Sequence, residues 1–237
     1  MAFDVGLIVE SAPALAKGLA GTIGICLVSL PAGFFAGILL ALVRMRGGVV
    51  ASVLVGAYVE LFRNIPFLIQ VFLLFFVLPA FGPRLSPLTA AFVALSAYAS
   101  AYSSEIFRAA LLSIPKGQTE AGYALGLRYP VILRKILLPQ ALGFILPTST
   151  NLAITLIKES AVLSTITVPE LTYAAQNIVG RTFSPVEIFT AIALIYWALT
   201  ASLSALTRSL EVRLQPHLRA GITDTDNKTE QIREDIR

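Results

Sequence analysis

Five stretches of this chain carry no charged side chain: residues 18–43, 64–83, 85–104, 136–157 and 188–207. A helix needs about 20 mainly apolar residues to cross a hydrocarbon core of about 30 Å. Backbone groups find no water at that depth, so only helices or closed barrels survive there. Runs of this length predict helices, and the chain reads as an all-α polytopic membrane protein with about five transmembrane helices. Composition agrees. Only 14% of the 237 residues are charged, where a soluble domain carries about 25%.

The basic residues set the expected orientation, because cytoplasmic connections collect Lys and Arg. Arg44 and Arg46 follow the first run, and Arg108, Lys116, Arg128, Arg134 and Lys135 follow the third. Arg208, Arg213 and Arg219 follow the fifth, whereas Arg84 and Arg181 stand alone after the second and fourth. This alternation predicts the N-terminus outside and the C-terminus in the cytoplasm. Residues 1–17 then form an extracytoplasmic segment. A cleaved signal peptide is the other reading of that end. The first apolar run is too long for one, and Asp4 and Glu10 spoil the basic start. Residues 211–237 read as a polar cytoplasmic tail, mixed in charge and poor in aliphatic side chains, with no means of building a core.

Chemistry-bearing motifs are few. Cys26 is the only cysteine and lies inside the first run, where a small buried hydrophobe is the simplest reading. His217 is also alone. No phosphate loop, zinc-protease motif or nucleophile elbow is present, so neither a catalytic residue nor a metal ligand is expected, and no nucleic-acid partner. Gly33 and Gly37 form a GxxxG step that permits close helix approach. Just before the second run, in a span that is irregular, Glu60 and Arg63 stand three apart on one helical face, placed to pair. Pro66 forbids an unbroken helix there. That pair reads as a structural brace for a broken helix or as part of a gate.

Lys158 and Glu159 stand side by side directly after the fourth run, within an apolar segment that continues to Val168. Adjacent helical residues point about 100° apart, so they are poor partners for one another. Each needs a partner elsewhere, either another span, water in a cavity or a solute. Between the third and fourth runs, residues 113–142 begin as a short amphipathic helix that Thr119 could cap, with Pro130 as its stop. Such a helix would lie on anionic lipid or in a groove of another protein.

Within that loop, Glu120, Ala121, Gly126, Ile136, Leu138 and Pro139 resemble the EAA loop of bacterial ABC importer permeases. The one departure is Gly122, where the motif usually has alanine. YVELFRNIPFLIQ (58–70) and AYSSEIFRAALLSIPKGQTEA (101–121) are similar to the narrower polar amino acid subfamily. The resemblance implies a type I ABC importer permease fold over residues 18–210. It makes 113–142 the loop that carries a cytoplasmic coupling helix, with Glu120, Ala121, Gly122, Gly126, Leu127 and Arg128 contacting the ATP-hydrolysing subunit. It also implies a second permease, identical or related, and an extracytoplasmic amino-acid-binding protein, all around a multi-pass chain in the bacterial inner membrane. No cofactor is expected on this chain, since ATP and magnesium belong to the partner ATPase. Glycine at 126 would let the helix approach that partner closely, and Gly122 would cost helicity. The stretch around Lys158 is similar to the subfamily pattern of lysine, acid and small hydroxyl residues, here Ser160 and Ser164. These four residues are therefore expected along the solute pathway, with Lys158 toward carboxylate and Glu159 toward ammonium. An ion-gradient carrier or channel subunit is the alternative. It would be expected to hold more acids in its spans than Glu60, Glu105 and Glu159. A membrane-embedded structural subunit without transport is a third reading.

Overall fold

The structure is a computed structural model that describes residues 3–214, with side chains to 209. It is built from helices. The longest, α1 (Val5–Arg46), is capped by Asp4, whose carboxylate accepts from the Leu7 N–H. Residues 5–17 are therefore the first turns of this same helix. One narrow stripe along α1 is buried: Ser11, Leu15, Gly18, Thr22, Cys26, Ser29, Gly33, Gly37 and Ala41. Steps of three and four place these residues on one face, and the opposite face shows Leu27, Val28, Phe35 and Leu39 outward.

The buried stripe packs against α4 (Pro87–Leu112). A Cβ added to Gly37 would lie 2.5 Å from Ser103 Cβ and 2.7 Å from the Ser100 carbonyl oxygen. One added to Gly33 would collide with Ala99 Cβ and the Ser96 carbonyl. The GxxxG step is thus an intramolecular seam, and α4 answers it with alanine and serine. Those small residues put α4 in the middle of the bundle, where Ala91, Leu95, Ala99, Ala101, Ser103, Ser104 and Ala110 are buried.

Three helical stretches are long and apolar enough to cross a membrane: Val5–Arg46, Tyr129–Ile166 and Pro185–Ser209. A fourth crossing is broken. Helix α2 (Gly48–Asn64) and α3 (Phe67–Phe72), continued by a π turn (Leu73–Val77) and a 3-10 turn (Leu78–Phe81), meet at 109°. Pro66 sits at the break because it has no N–H for the ladder. Helix α4 is long enough but is not among these apolar spans, because its serines and tyrosines suit a helix surrounded by protein more than by lipid.

After α4 come the short α5 (Lys116–Ala124) and α6 (Tyr129–Ile132), then a π turn (Leu133–Leu137) leading into α7 (Leu138–Glu159). Helix α7 ends at Glu159 and tightens into a 3-10 turn (Ser160–Ile166), followed by α8 (Leu171–Thr182) and α9 (Pro185–Leu214). A second core, Leu15, Leu171, Ala175, Ile178 and Ile188, joins the first half of α1 to α8 and α9. The tail expected at 211–237 lies outside the described residues except for 211–214, which continue α9.

Candidate solute cleft and docking helix

A cavity of about 320 Å³ opens between the end of α2, the second half of α4 and α7. Its polar lining is Arg63, Tyr102, Glu105, Thr148, Asn151 and Thr155. On α7 the lining residues Phe144, Thr148, Asn151 and Thr155 recur at helical spacing, so the same face continues to Lys158 and Glu159. Lys158 is exposed and Glu159 half-buried, and neither has an ion-pair partner among the described residues. Ser160 and Ser164 part from them. Both are buried and donate to backbone carbonyls three residues back, of Ile157 and Ala161, each at 2.8 Å. These serines shape the tight turn after α7 and face the packed interior. They do not line the cleft, because the 3-10 turn changes the helical phase after Glu159.

The expected Glu60–Arg63 pair is not formed. Glu60 accepts from Asn64 Nδ2 at 2.9 Å on the exposed side of α2. Arg63 turns instead toward the cleft, with its guanidinium carbon 5.6 Å from the centroid of the Tyr102 ring. Tyr102 in turn stacks on Tyr98, ring centroids 4.5 Å apart. The ion pairs among the described residues converge on Glu105, which accepts from Arg44 Nη1 at 3.0 Å and from both Nε and Nη2 of Arg108. Two arginines thus neutralise the acid that lines the cleft and leave Arg63 as its unpaired cation. Sequence reading missed this cluster. Glu105 and Arg108 sit three apart, which hints at a pair, but Arg44 belongs to another helix and gives no local signal.

Beyond Glu105, α4 passes within a few residues into α5. Here two glycines have different structural roles. Gly126 has φ +75 and nothing of this chain within 4 Å of an added Cβ. It is the left-handed residue that ends α5: its N–H donates to the Tyr123 carbonyl at 2.9 Å, and the Leu127 N–H to the Gly122 carbonyl at 3.0 Å. That pair of bonds is the Schellman motif. Gly122 is the residue of close approach. A Cβ there would stand 2.7 Å from Ile132 Cγ1, so α5 rests on α6 where alanine would not fit. Thr119 lies inside α5, which starts at Lys116 after Pro115, and Pro130 opens α6 instead of closing α5.

The other side of α5 is bare. Glu120, Ala121, Ala124 and Arg128 are exposed and Leu127 half-buried, while Tyr123 and Leu125 are 54% and 76% exposed. The root of this loop is fastened to α1: Arg46 places its guanidinium 3.5 Å from the Tyr129 ring centroid, next to the Arg44–Glu105 bridge.

A buried acid at the far end also escaped the sequence. Glu170 caps α8, accepting from the N–H groups of Thr172 and Tyr173 at 2.9 and 2.6 Å and from Tyr196 Oη at 3.0 Å. The Leu171 N–H donates to Thr22 Oγ1 at 3.1 Å. Its signal was an acid after proline at the head of an apolar segment, a capping position.

Spans around a polar cleft, joined through one helix to a bare amphipathic helix, define the membrane-spanning subunit of a transport system. The chain belongs to the family of binding-protein-dependent transport system inner membrane components, which matches residues 33–216. It is 38% identical over 217 residues to the glutamine transport system permease protein GlnP of Escherichia coli (strain K12), covering 91% of this chain and 99% of that one. It is 36% identical over 207 residues to the L-cystine transport system permease protein TcyB of Bacillus subtilis (strain 168), covering 87% and 88%. Its fold matches the crystal structure of an amino acid ABC transporter with histidines at a TM-score of 0.85 and 32% identity, covering 90% and 100%. An inward-facing structure of the MetNI methionine ABC transporter matches at 0.72 and 26%, covering 85% and 96%. The fold is that of a type I ABC importer permease, and the chain is a multi-pass inner-membrane protein.

Proposed function

We propose that this chain is the permease subunit of an ATP-driven, binding-protein-dependent importer of polar amino acids. The observation that carries the reading is the continuity of α4 with α5. One helix lines the cleft through Tyr102 and Glu105 and then delivers the bare docking helix. A rigid element tied to two spans lets motion at α5 tilt the walls of the cleft. In this reading Glu120, Ala121, Gly122, Gly126, Leu127 and Arg128 belong to the segment that seats on the ATP-binding subunit, which holds ATP and magnesium. A second permease copy, or a related permease, closes the open side of the cleft, an extracytoplasmic binding protein delivers the solute, and lipid covers the outer faces. Similarity to glutamine and L-cystine transport permeases supports amino acids as the cargo.

Lys158 and Glu159 suit a zwitterion. An ammonium beside a carboxylate in a poorly hydrated cleft complements the two charges of a free amino acid, with Lys158 toward its carboxylate and Glu159 toward its ammonium. Proteoliposomes holding the permease and ATPase, with the binding protein added, should accumulate labelled amino acids only with ATP. Uptake driven by an ion gradient without ATP would favour the carrier alternative. Lys158→Ala and Glu159→Ala should each lower uptake at least tenfold, while stimulated ATP hydrolysis persists. Unchanged uptake and an unchanged substrate profile in both would make the pair structural.

A further inference from the structure

The break in the second span leaves carbonyl groups at the end of α2 without their helical partners, those of Phe62 and Ile65 among them. The oxygen of Phe62 would accept from residue 66, but Pro66 has no N–H. The oxygen of Ile65 would accept from Ile69, whose N–H goes instead to the Pro66 carbonyl at 3.0 Å. One side chain serves both. Gln70 reaches back from the first turn of α3, and its Nε2 donates to Phe62 O at 2.9 Å and Ile65 O at 2.7 Å. Gln70 is only 7% exposed, and its Oε1 is buried without a partner. Turning the amide over would place oxygen against two carbonyl oxygens, so its orientation is fixed by the acceptors it serves. An orphaned buried acceptor is unfavourable, and two unpaired carbonyls in its place would be more so.

The two clipped carbonyls bracket Arg63, which lines the cleft without an ion-pair partner among the described residues. We propose that Gln70 is a positioning residue for transport. Its carboxamide clips α2 to α3, holds the elbow at one angle, and so fixes the place at which Arg63 enters the cleft beside Tyr102. This inference rests on the cleft being the solute pathway. It adds that the elbow is set by one hydrogen-bond donor, not by the proline alone.

The test uses the complex of permease, ATPase and binding protein in nanodiscs and proteoliposomes. Cys26→Ala is the background, with spin labels on Ala57→Cys and Phe76→Cys, exposed positions on either side of the elbow. The parent should give one narrow distance distribution. Gln70→Leu removes the donor, and Gln70→Glu keeps length and shape while presenting oxygen to the two carbonyls. Both should broaden the distribution and lower amino acid imported per ATP hydrolysed at least tenfold. A merely structural loss would lower uptake and hydrolysis together. Arg63→Gln should lower uptake with the distribution still narrow. Should Gln70→Leu fail to assemble, Gln70→Glu carries the same two readings. A narrow distribution, or unchanged import per ATP, in the assembled Gln70 variants overturns the proposal. Absence of amino acid uptake in the parent would instead remove the cleft reading, leaving the distances to decide the clip.

Discussion

At the residue scale, two glycines four positions apart do different work, and substitution separates them. Gly126 needs its backbone conformation. An L-residue in the left-handed region costs about 1–2 kcal/mol, and nothing crowds the site, so Gly126→Ala should weaken α5 by that amount. Gly126→Asn, which tolerates the left-handed region better, should stay near the parent. Gly122 needs space. Alanine there gains up to about 1 kcal/mol of helix propensity, but its Cβ meets the buried Ile132 side chain at 2.7 Å. Overpacking of this kind costs about 1–3 kcal/mol. Gly122→Ala should therefore lower binding-protein-stimulated ATP hydrolysis, and adding Ile132→Ala, which removes Cγ1, Cδ1 and Cγ2, should recover much of it. Hydrolysis by each variant in reconstituted vesicles checks both. An uncorrected loss in the double variant would show that Gly122 contacts the ATPase and not Ile132.

At the scale of elements, the seam between α1 and α4 is the firmest helix contact in the bundle because neither surface has side chains to spare. Gly33→Leu or Gly37→Leu should part the helices and abolish a monodisperse peak in detergent, whereas Leu39→Ala, on the exposed face, should leave it intact. How far such contacts are legible in sequence depends on whether their cause is local. The charge-free runs announced the spans, and the break at Pro66 follows from a missing N–H within one segment. GxxxG announced a close approach but not its partner, since the answering Ala99 and Ser103 lie more than sixty residues away. Spacing placed Glu60 within reach of Arg63, yet Asn64 one turn on and Tyr102 on another helix supply competing partners that spacing does not count. Lys158 and Glu159 were visible as charges in an apolar run. The departure of Ser160 and Ser164 was not, because a switch from α to 3-10 geometry leaves no mark in residue types. The Arg44 bridge to Glu105 and the Tyr196 bond to Glu170 are tertiary, and only folding assembles them.

At the scale of the whole molecule, α1 makes the chain asymmetric across the membrane. Its 42 residues at 1.5 Å each span about 63 Å, roughly twice the hydrocarbon core. One end, with Arg44, Arg46 and α5, carries the basic cluster that marks a cytoplasmic face. The surplus must then emerge opposite, where the first half of α1 packs on α8 and the start of α9 through Leu15, Leu171 and Ile188. That packing explains how a helix can continue past the lipid without fraying, since its buried stripe finds protein on both levels. The topology predicted is N-terminus out, α8 out and α5 in. Cys26 is the single cysteine and is buried, so a Cys26→Ala chain with one exposed cysteine reports its side cleanly. In intact cells a membrane-impermeant maleimide added outside should label Gln176→Cys on α8 and not Tyr123→Cys on α5. In inverted vesicles the labelling should reverse. Labelling of Tyr123→Cys from outside would overturn the orientation and, with it, the docking of α5 on a cytoplasmic ATPase.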